Sequence, residues 1–180
     1  PEGFLCLIKW YCKIGEILLQ RKNIPLGSAT GSTMMGKIVG EKVGDRLVKA
    51  LLDIGRNNGI IGTPETDLYM KMIGTVVGAV GTSRLRCTST RRLIVHEEIY
   101  DKVKDSLIKA YNQIKIGDPL DTNNHVGPLI DKLAVESYQK AISLVDKQGG
   151  RWLVEGEVLS GDQYKSGCYV KPAIAEVDHS

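Results

Sequence analysis

The sequence predicts an α/β protein, with length enough for one domain or for one domain plus a fragment. Helical and strand-like apolar patterns alternate along the chain, which is the signature of packed α/β layers. Turn signals separate them at Asn23-Ile24-Pro25-Leu26-Gly27, Asp118-Pro119 and Gly149-Gly150. Of the 180 residues, 42% are hydrophobic and 25% charged, the balance of a chain able to form a core.

Ile14 to Lys22 places Ile14, Ile17, Leu18 and Leu19 on one helical face, and the Pro/Gly break ends it. Gly27-Ser28-Ala29-Thr30 is a poor strand sequence. Thr33 to Val43 predicts a second helix, with Met35, Ile38, Val39 and Val43 at helical spacing. Leu47 to Ile54 fits a strand or a helix end, and Gly59 to Gly62 a short buried strand. Thr66 to Val80 is apolar almost all round and predicts a buried helix. Its Gly74 and Gly78 are spaced for close packing. Arg92 to His96 predicts a strand, Glu97 to Gln113 a helix, and Lys132 to Lys147 another amphipathic helix. Arg151 to Glu155 and Tyr169 to Ala175 predict strands around a loop at 160–167. No internal repeat is found.

The formal charge is +3, and basic residues alternate with acidic ones, as in Lys102-Val103-Lys104-Asp105. That pattern argues for a solvated surface and against nucleic-acid binding. Cys6, Cys12, Cys87 and Cys168 form no C-x-x-C pair and histidine is sparse, so no zinc site is expected. No segment reads as a secretory leader or approaches the roughly 20 apolar residues of a membrane span. Free thiols then suit the reducing cytoplasm.

Three clusters carry possible chemistry. Gly31-Ser32-Thr33-Met34-Met35-Gly36-Lys37 is nearly a phosphate-binding loop, but Ile38 stands where a Mg²⁺-binding hydroxyl belongs. Small residues ahead of a helix leave N–H groups free for an anion, or simply provide an N-cap. Asp53-Ile54-Gly55-Arg56-Asn57-Asn58 places a carboxylate beside a turn, either a general base or a turn-former. In Arg84-Leu85-Arg86-Cys87-Thr88-Ser89-Thr90-Arg91-Arg92, a thiol among four arginines is either a nucleophile or a small buried hydrophobe.

In order, Thr30-Gly31-Ser32-Thr33, Asp53-Ile54-Gly55 and Arg86-Cys87-Thr88 resemble the aldehyde dehydrogenase superfamily: its T-G-S nucleotide loop, its E-L-G-G segment and its nucleophilic cysteine. Cys87 follows Asp53 by 34 positions, the family's interval between base and nucleophile. Cys87 to Glu97, Ile116 to Asp121, His125 to Ile130 and Ser166 to Ile174 are similar to the antiquitin branch. That branch contains the α-aminoadipic semialdehyde dehydrogenases of lysine catabolism. The resemblance runs from Ala29 to the end of the chain.

The resemblance implies a partial aldehyde dehydrogenase fold. Residues 1–52 would be an incomplete Rossmann-like NAD-binding domain, and 53–180 the first part of the catalytic domain. It implies oxidation of an aldehyde to an acid. Cys87 adds to the carbonyl, hydride passes to NAD or NADP, and the carboxylate at Asp53 activates water to hydrolyse the thioester. Gly31, Ser32, Thr33, Gly36 and Ile54 would line the cofactor site, and Lys9, ending a strand over 6–9, would meet the ribose. Arg86 would bind the substrate's distal carboxylate, for which a planar guanidinium is suited. The family is homo-oligomeric.

Departures gather near the chemistry. The family's Glu is Asp53, its second Gly is Arg56, and its A-G-Q is Ser83-Arg84-Leu85. Arginines at such places would block or reshape the cofactor pocket. The Pro-Ser-Glu expected after Lys9 is Trp10-Tyr11-Cys12, and a further strand and helix are absent before Ser28. The Asn that completes the oxyanion hole would lie before Pro1, and the E-x-F-G-P motif and oligomerisation strand beyond Ser180. A truncated or degenerate copy is therefore expected, poorly stable alone and with uncovered apolar faces. Three other readings compete: an inactive remnant partnering an intact relative, a Cys87-dependent esterase, and a P-loop NTPase.

Overall fold

The computed structural model describes residues 3, 5–9, 12–83 and 85–177. They fall into two compact units, Pro1–Arg56 and Asn57–Ser180. This division comes four residues after the boundary expected at 52/53, so Asp53 lies in the first unit.

The first unit holds helix α1 (Cys12–Gln20), strand β1 (Leu26–Gly31), helix α2 (Thr33–Gly44) and strand β2 (Lys49–Ile54). β1 and β2 pair in parallel, from Leu26 against Lys49 to Gly31 against Ile54. Parallel neighbours need a crossover, and α2 supplies it. The poor strand sequence at 27–30 is thus a strand. Its smallness is what the packing needs: a Cβ at Gly27 would lie 2.8 Å from Val43 Cγ2, and Val43 is the most deeply buried large side chain of α2. The ambiguous segment 47–54 resolves as β2. The Arg46 guanidinium donates to the Leu19 and Ile24 carbonyls. It thereby satisfies a carbonyl in the last turn of α1, a role suited to a cation. Residues 6–9 form no strand, contrary to expectation; among the described residues β1 and β2 pair with each other and with no further strand.

The second unit begins with β3 (Asn58–Gly62), α3 (Leu68–Val80) and β4 (Thr90–Val95), again a parallel pair spanned by a helix. Helices α4 (Glu97–Asn112) and α5 (Lys132–Lys147) follow, then β5 (Arg151–Val154) and β6 (Ile174–Glu176) as an antiparallel pair. The strand expected at 169–175 is mostly irregular, touching Val158 only through an isolated bridge at Val170. Capping residues set the helix starts. Asp67 accepts from Tyr69 N and Met70 N, His96 Nδ1 from Glu98 N, and Asp131 from Ala134 N. Glu97 and Glu98 in the first turn of α4 and Lys109 in its last complement the helix dipole.

Ile99, Val103, Leu107 and Tyr111 form one stripe of α4. With Val154 they make the core, against Leu68, Met72, Val76 and Val80 of α3 and Leu93 and Val95 of β4. The helix expected to be buried all round is not. Tyr69, Met70, Ile73 and Val77 are exposed, because α4 and the sheet cover one face of α3 only. Likewise β3 alternates, and Ile61 is 72% exposed. Of the two packing glycines, Gly78 meets Thr90, where a Cβ would lie 2.7 Å from Oγ1. Gly74 faces open space.

Tyr138 of α5 donates to the Lys171 carbonyl at 2.6 Å. A Cβ at Gly156 would lie 1.9 Å from the Tyr138 hydroxyl and 2.9 Å from Ala173 Cβ. Gly156→Ala must push Tyr138 aside, and we expect a loss of about 1–3 kcal/mol in urea unfolding.

Burial pushes the Tyr111 hydroxyl from its ordinary value of 10 up to about 12. The fold therefore favours neutral tyrosine. That contribution is complete below pH 10 and is lost as pH rises towards 12, because the unfolded chain releases its proton first. Tyr138 adds to the same window; burial, then the Glu157 charge, also push it to about 12. Tyr111→Phe should flatten the alkaline fall in melting temperature, and an unchanged fall would contradict this assignment.

Candidate active site

In the first unit the chemistry-bearing residues collect at the carboxyl edge of the parallel pair. Thr30 is opposite Asp53 and Gly31 opposite Ile54, and α2 starts at once with Thr33. This edge is where open α/β sheets take ligands. Ser32 is the N-cap of α2: its extended backbone (φ −74°, ψ 155°) lets the hydroxyl accept from Met35 N at 3.1 Å. Helix starts leave N–H groups without intrahelical acceptors and favour anions. Both sequence readings of Ser32, cap and anion loop, describe one place.

Gly36 and Ile54 lie against each other. A Cβ on Gly36 would sit 2.3 Å from Ile54 Cγ2, so Gly36 lets α2 approach β2. Thr33 lies beside Gly55, where a Cβ would be 3.2 Å from its Oγ1. At Gly31 a Cβ would meet only the end of Met35, which can swing away. Lys9 is exposed and outside any strand.

Asp53 Oδ1 is 2.5 Å from Arg56 Nη2, and both side chains are more than half exposed. Such a surface pair contributes about 0–1 kcal/mol to stability. One oxygen of the candidate base is thereby held by a cation. Arg56, expected to block or reshape the cofactor pocket, is here seen paired with the candidate base.

In the second unit Cys87 lies in the loop before β4 and is exposed. It is not the small buried hydrophobe of the competing reading. The loop is a tight turn. The Arg86 carbonyl accepts from Ser89 N at 3.2 Å and from Ser89 Oγ at 3.0 Å. Ser89 is only 2% exposed and anchors the turn. Asn58 Nδ2 donates to the Cys87 carbonyl at 2.7 Å and to the Ser89 carbonyl at 3.1 Å. Sequence reasoning did not single out Asn58; an Asn beside a turn gives no sign of which carbonyls it will meet. Ser83 adopts left-handed backbone (φ 47°) and donates to the Gly127 carbonyl at 3.0 Å. Arg86 is exposed, and Arg92 Nη2 donates to the Asn57 carbonyl at 2.7 Å. Arg84 lies outside the described residues. Asp53 and the Arg86-Cys87 pair belong to different units.

The model of the aldehyde dehydrogenase family matches residues 1–180. The chain belongs to the aldehyde dehydrogenase family. It is 41% identical over 165 residues to aldehyde dehydrogenase family 7 member A1 of Malus domestica, covering 92% of this chain and 32% of that protein. It is 44% identical to the putative family 7 member A1 homolog of Caenorhabditis elegans, covering 89% and 30%. It is 39% identical to the alpha-aminoadipic semialdehyde dehydrogenase of Mus musculus, covering 97% and 32%. The chain thus spans about a third of the length of these relatives.

Among solved structures, HpcC from Thermus thermophilus superposes with a TM-score of 0.83 at 27% identity, over 89% of this chain and 32% of that one. Betaine aldehyde dehydrogenase from Staphylococcus aureus in complex with NAD⁺ gives 0.84 at 22%, over 89% and 32%, and shares the fold. Members of this family are oxidoreductases acting on aldehydes. No helix among the described residues is long and apolar enough to cross a membrane.

Ser32→Ala removes the cap of α2 and leaves Met35 N without its acceptor. We expect about 1 kcal/mol of destabilisation in urea unfolding, with Ser32→Asp close to the parent.

Proposed function

We propose that this chain carries the nucleophile and nucleotide-loop segment of an NAD(P)-dependent aldehyde dehydrogenase, with α-aminoadipic semialdehyde as the candidate substrate. The observation that carries the reading is the exposed Cys87 held in a turn braced by Asn58 and Ser89. The similarity to the alpha-aminoadipic semialdehyde dehydrogenases supports the choice of aldehyde. Residues 1–52 would be the nucleotide-binding part and 53–180 the catalytic part.

A dinucleotide would be held through its pyrophosphate at the N-terminus of α2 by Ser32 and its neighbours, and when bound it supplies the hydride acceptor. Cys87, as thiolate, attacks the aldehyde carbon. By the resemblance, Asp53 takes a proton from the water that hydrolyses the thioester, with Arg56 holding one of its two oxygens. Arg86 presents a guanidinium for a carboxylate at the far end of the substrate. The family's homo-oligomeric state and a cytoplasmic setting belong to the same reading.

A second reading, a non-catalytic partner of an intact relative, draws on two observations. The face of α3 bearing Tyr69, Met70, Ile73 and Val77 is exposed, and the candidate base is ion-paired to Arg56.

Titration with NAD⁺ and NADP⁺ separates the readings. Saturable binding is expected, and none up to millimolar concentration would overturn the dehydrogenase reading for this chain. Aldehyde oxidation should vanish in Cys87→Ala and fall about 10²-fold in Asp53→Asn, the scale of losing a general base.

A further inference from the structure

We propose that Asn58 is a positioning residue for Cys87; this rests on the reading of Cys87 as the nucleophile. The β3–β4 ladder pairs Asn58 with Thr90 and then Gly59 with Arg92, leaving Arg91 unmatched. At this irregularity the side-chain amide of Asn58 stands in for a backbone donor. It bonds the Ser89 carbonyl at 3.1 Å and reaches one step further, to the Cys87 carbonyl at 2.7 Å. Both neighbours are acceptors, so the amide nitrogen is the atom that must face them.

The consequence follows from peptide geometry. In a trans peptide the C=O and N–H point in opposite directions. Fixing the Cys87 carbonyl on Asn58 therefore aims the Thr88 N–H away from Asn58. The bond from Ser89 to the Arg86 carbonyl directs the Cys87 N–H in the same manner. Both peptides flanking the thiol are thus locked, one by Ser89 and one by Asn58. Where such an N–H group faces the sulfur it favours the charged, reactive thiolate. Only a side chain with two N–H groups on one nitrogen serves both carbonyls. Leucine at this position fills similar space with no donor, and serine keeps one.

The test is alkylation of the whole chain by iodoacetamide across pH 6 to 10, with each cysteine followed by peptide mass spectrometry. Cys87 in Asn58→Leu should react roughly tenfold more slowly at neutral pH, the scale of losing one to two oriented hydrogen bonds. The midpoint of its pH profile should move upward. Asn58→Ser should fall between Asn58→Leu and the parent, and decides the matter alone if Asn58→Leu does not fold. Buried Cys168 reports on the fold, and its slow reaction should not change. Equal Cys87 rates and midpoints in parent and variants would overturn the proposal, as would Cys168 accelerating alongside the change at Cys87. An inert Cys87 in the parent chain would instead sink the nucleophile reading itself, and this inference with it.

Discussion

Two parallel strands cannot be joined by a tight turn, and each parallel pair in this chain is spanned by a helix, α2 in the first unit and α3 in the second. That constraint decides where backbone is left free of the ladder. In the first unit it is the carboxyl edge, where β1 ends, α2 begins and Asp53 completes β2. In the second it is the amino edge, where Asn58 opens β3 and the cysteine turn leads into β4. The candidate site residues sit where the helices and strands hand over, with regular structure fixing them on either side.

The polar groups at these edges are used for structure as well as for chemistry. Ser32 caps a helix at the point suited to an anion, and Asn58 closes a gap in a ladder while holding the Cys87 carbonyl. Asp53 differs, since its carboxylate is paired with the arginine that stands in the family's glycine position. Ser32 and the cysteine turn thus keep local hydrogen-bonded scaffolding, while the candidate base is drawn into an ion pair.

Much of the fold was legible in the sequence. Helices α4 and α5 followed from their amphipathic stripes, while their caps at His96 and Asp131 came from the structure. The candidate site was legible as an ordered set: a small-residue loop, a carboxylate and a cysteine at fixed intervals. Three features were not. β1 was undervalued because Gly27, Ser28 and Ala29 lack strand propensity, and its pairing is set by β2 and by the need to admit Val43. The burial of α3 was overestimated because an apolar pattern says what a helix can bury, not what lies against it. Residues 6–9 looked like a strand, but a strand exists only with a partner.

The sequence alone determined the α/β class, the principal helices and the family, because hydrophobic period, capping residues and motif spacing are local properties of the chain. Only the tertiary structure decided that Cys87 is exposed, that Arg56 holds Asp53 and that Asn58 holds the cysteine turn. Exposure depends on what packs against a residue. The partners of Arg56 and Asn58 were settled by backbone path and by an unmatched residue in a ladder, 29 positions separating Asn58 from the carbonyl it binds.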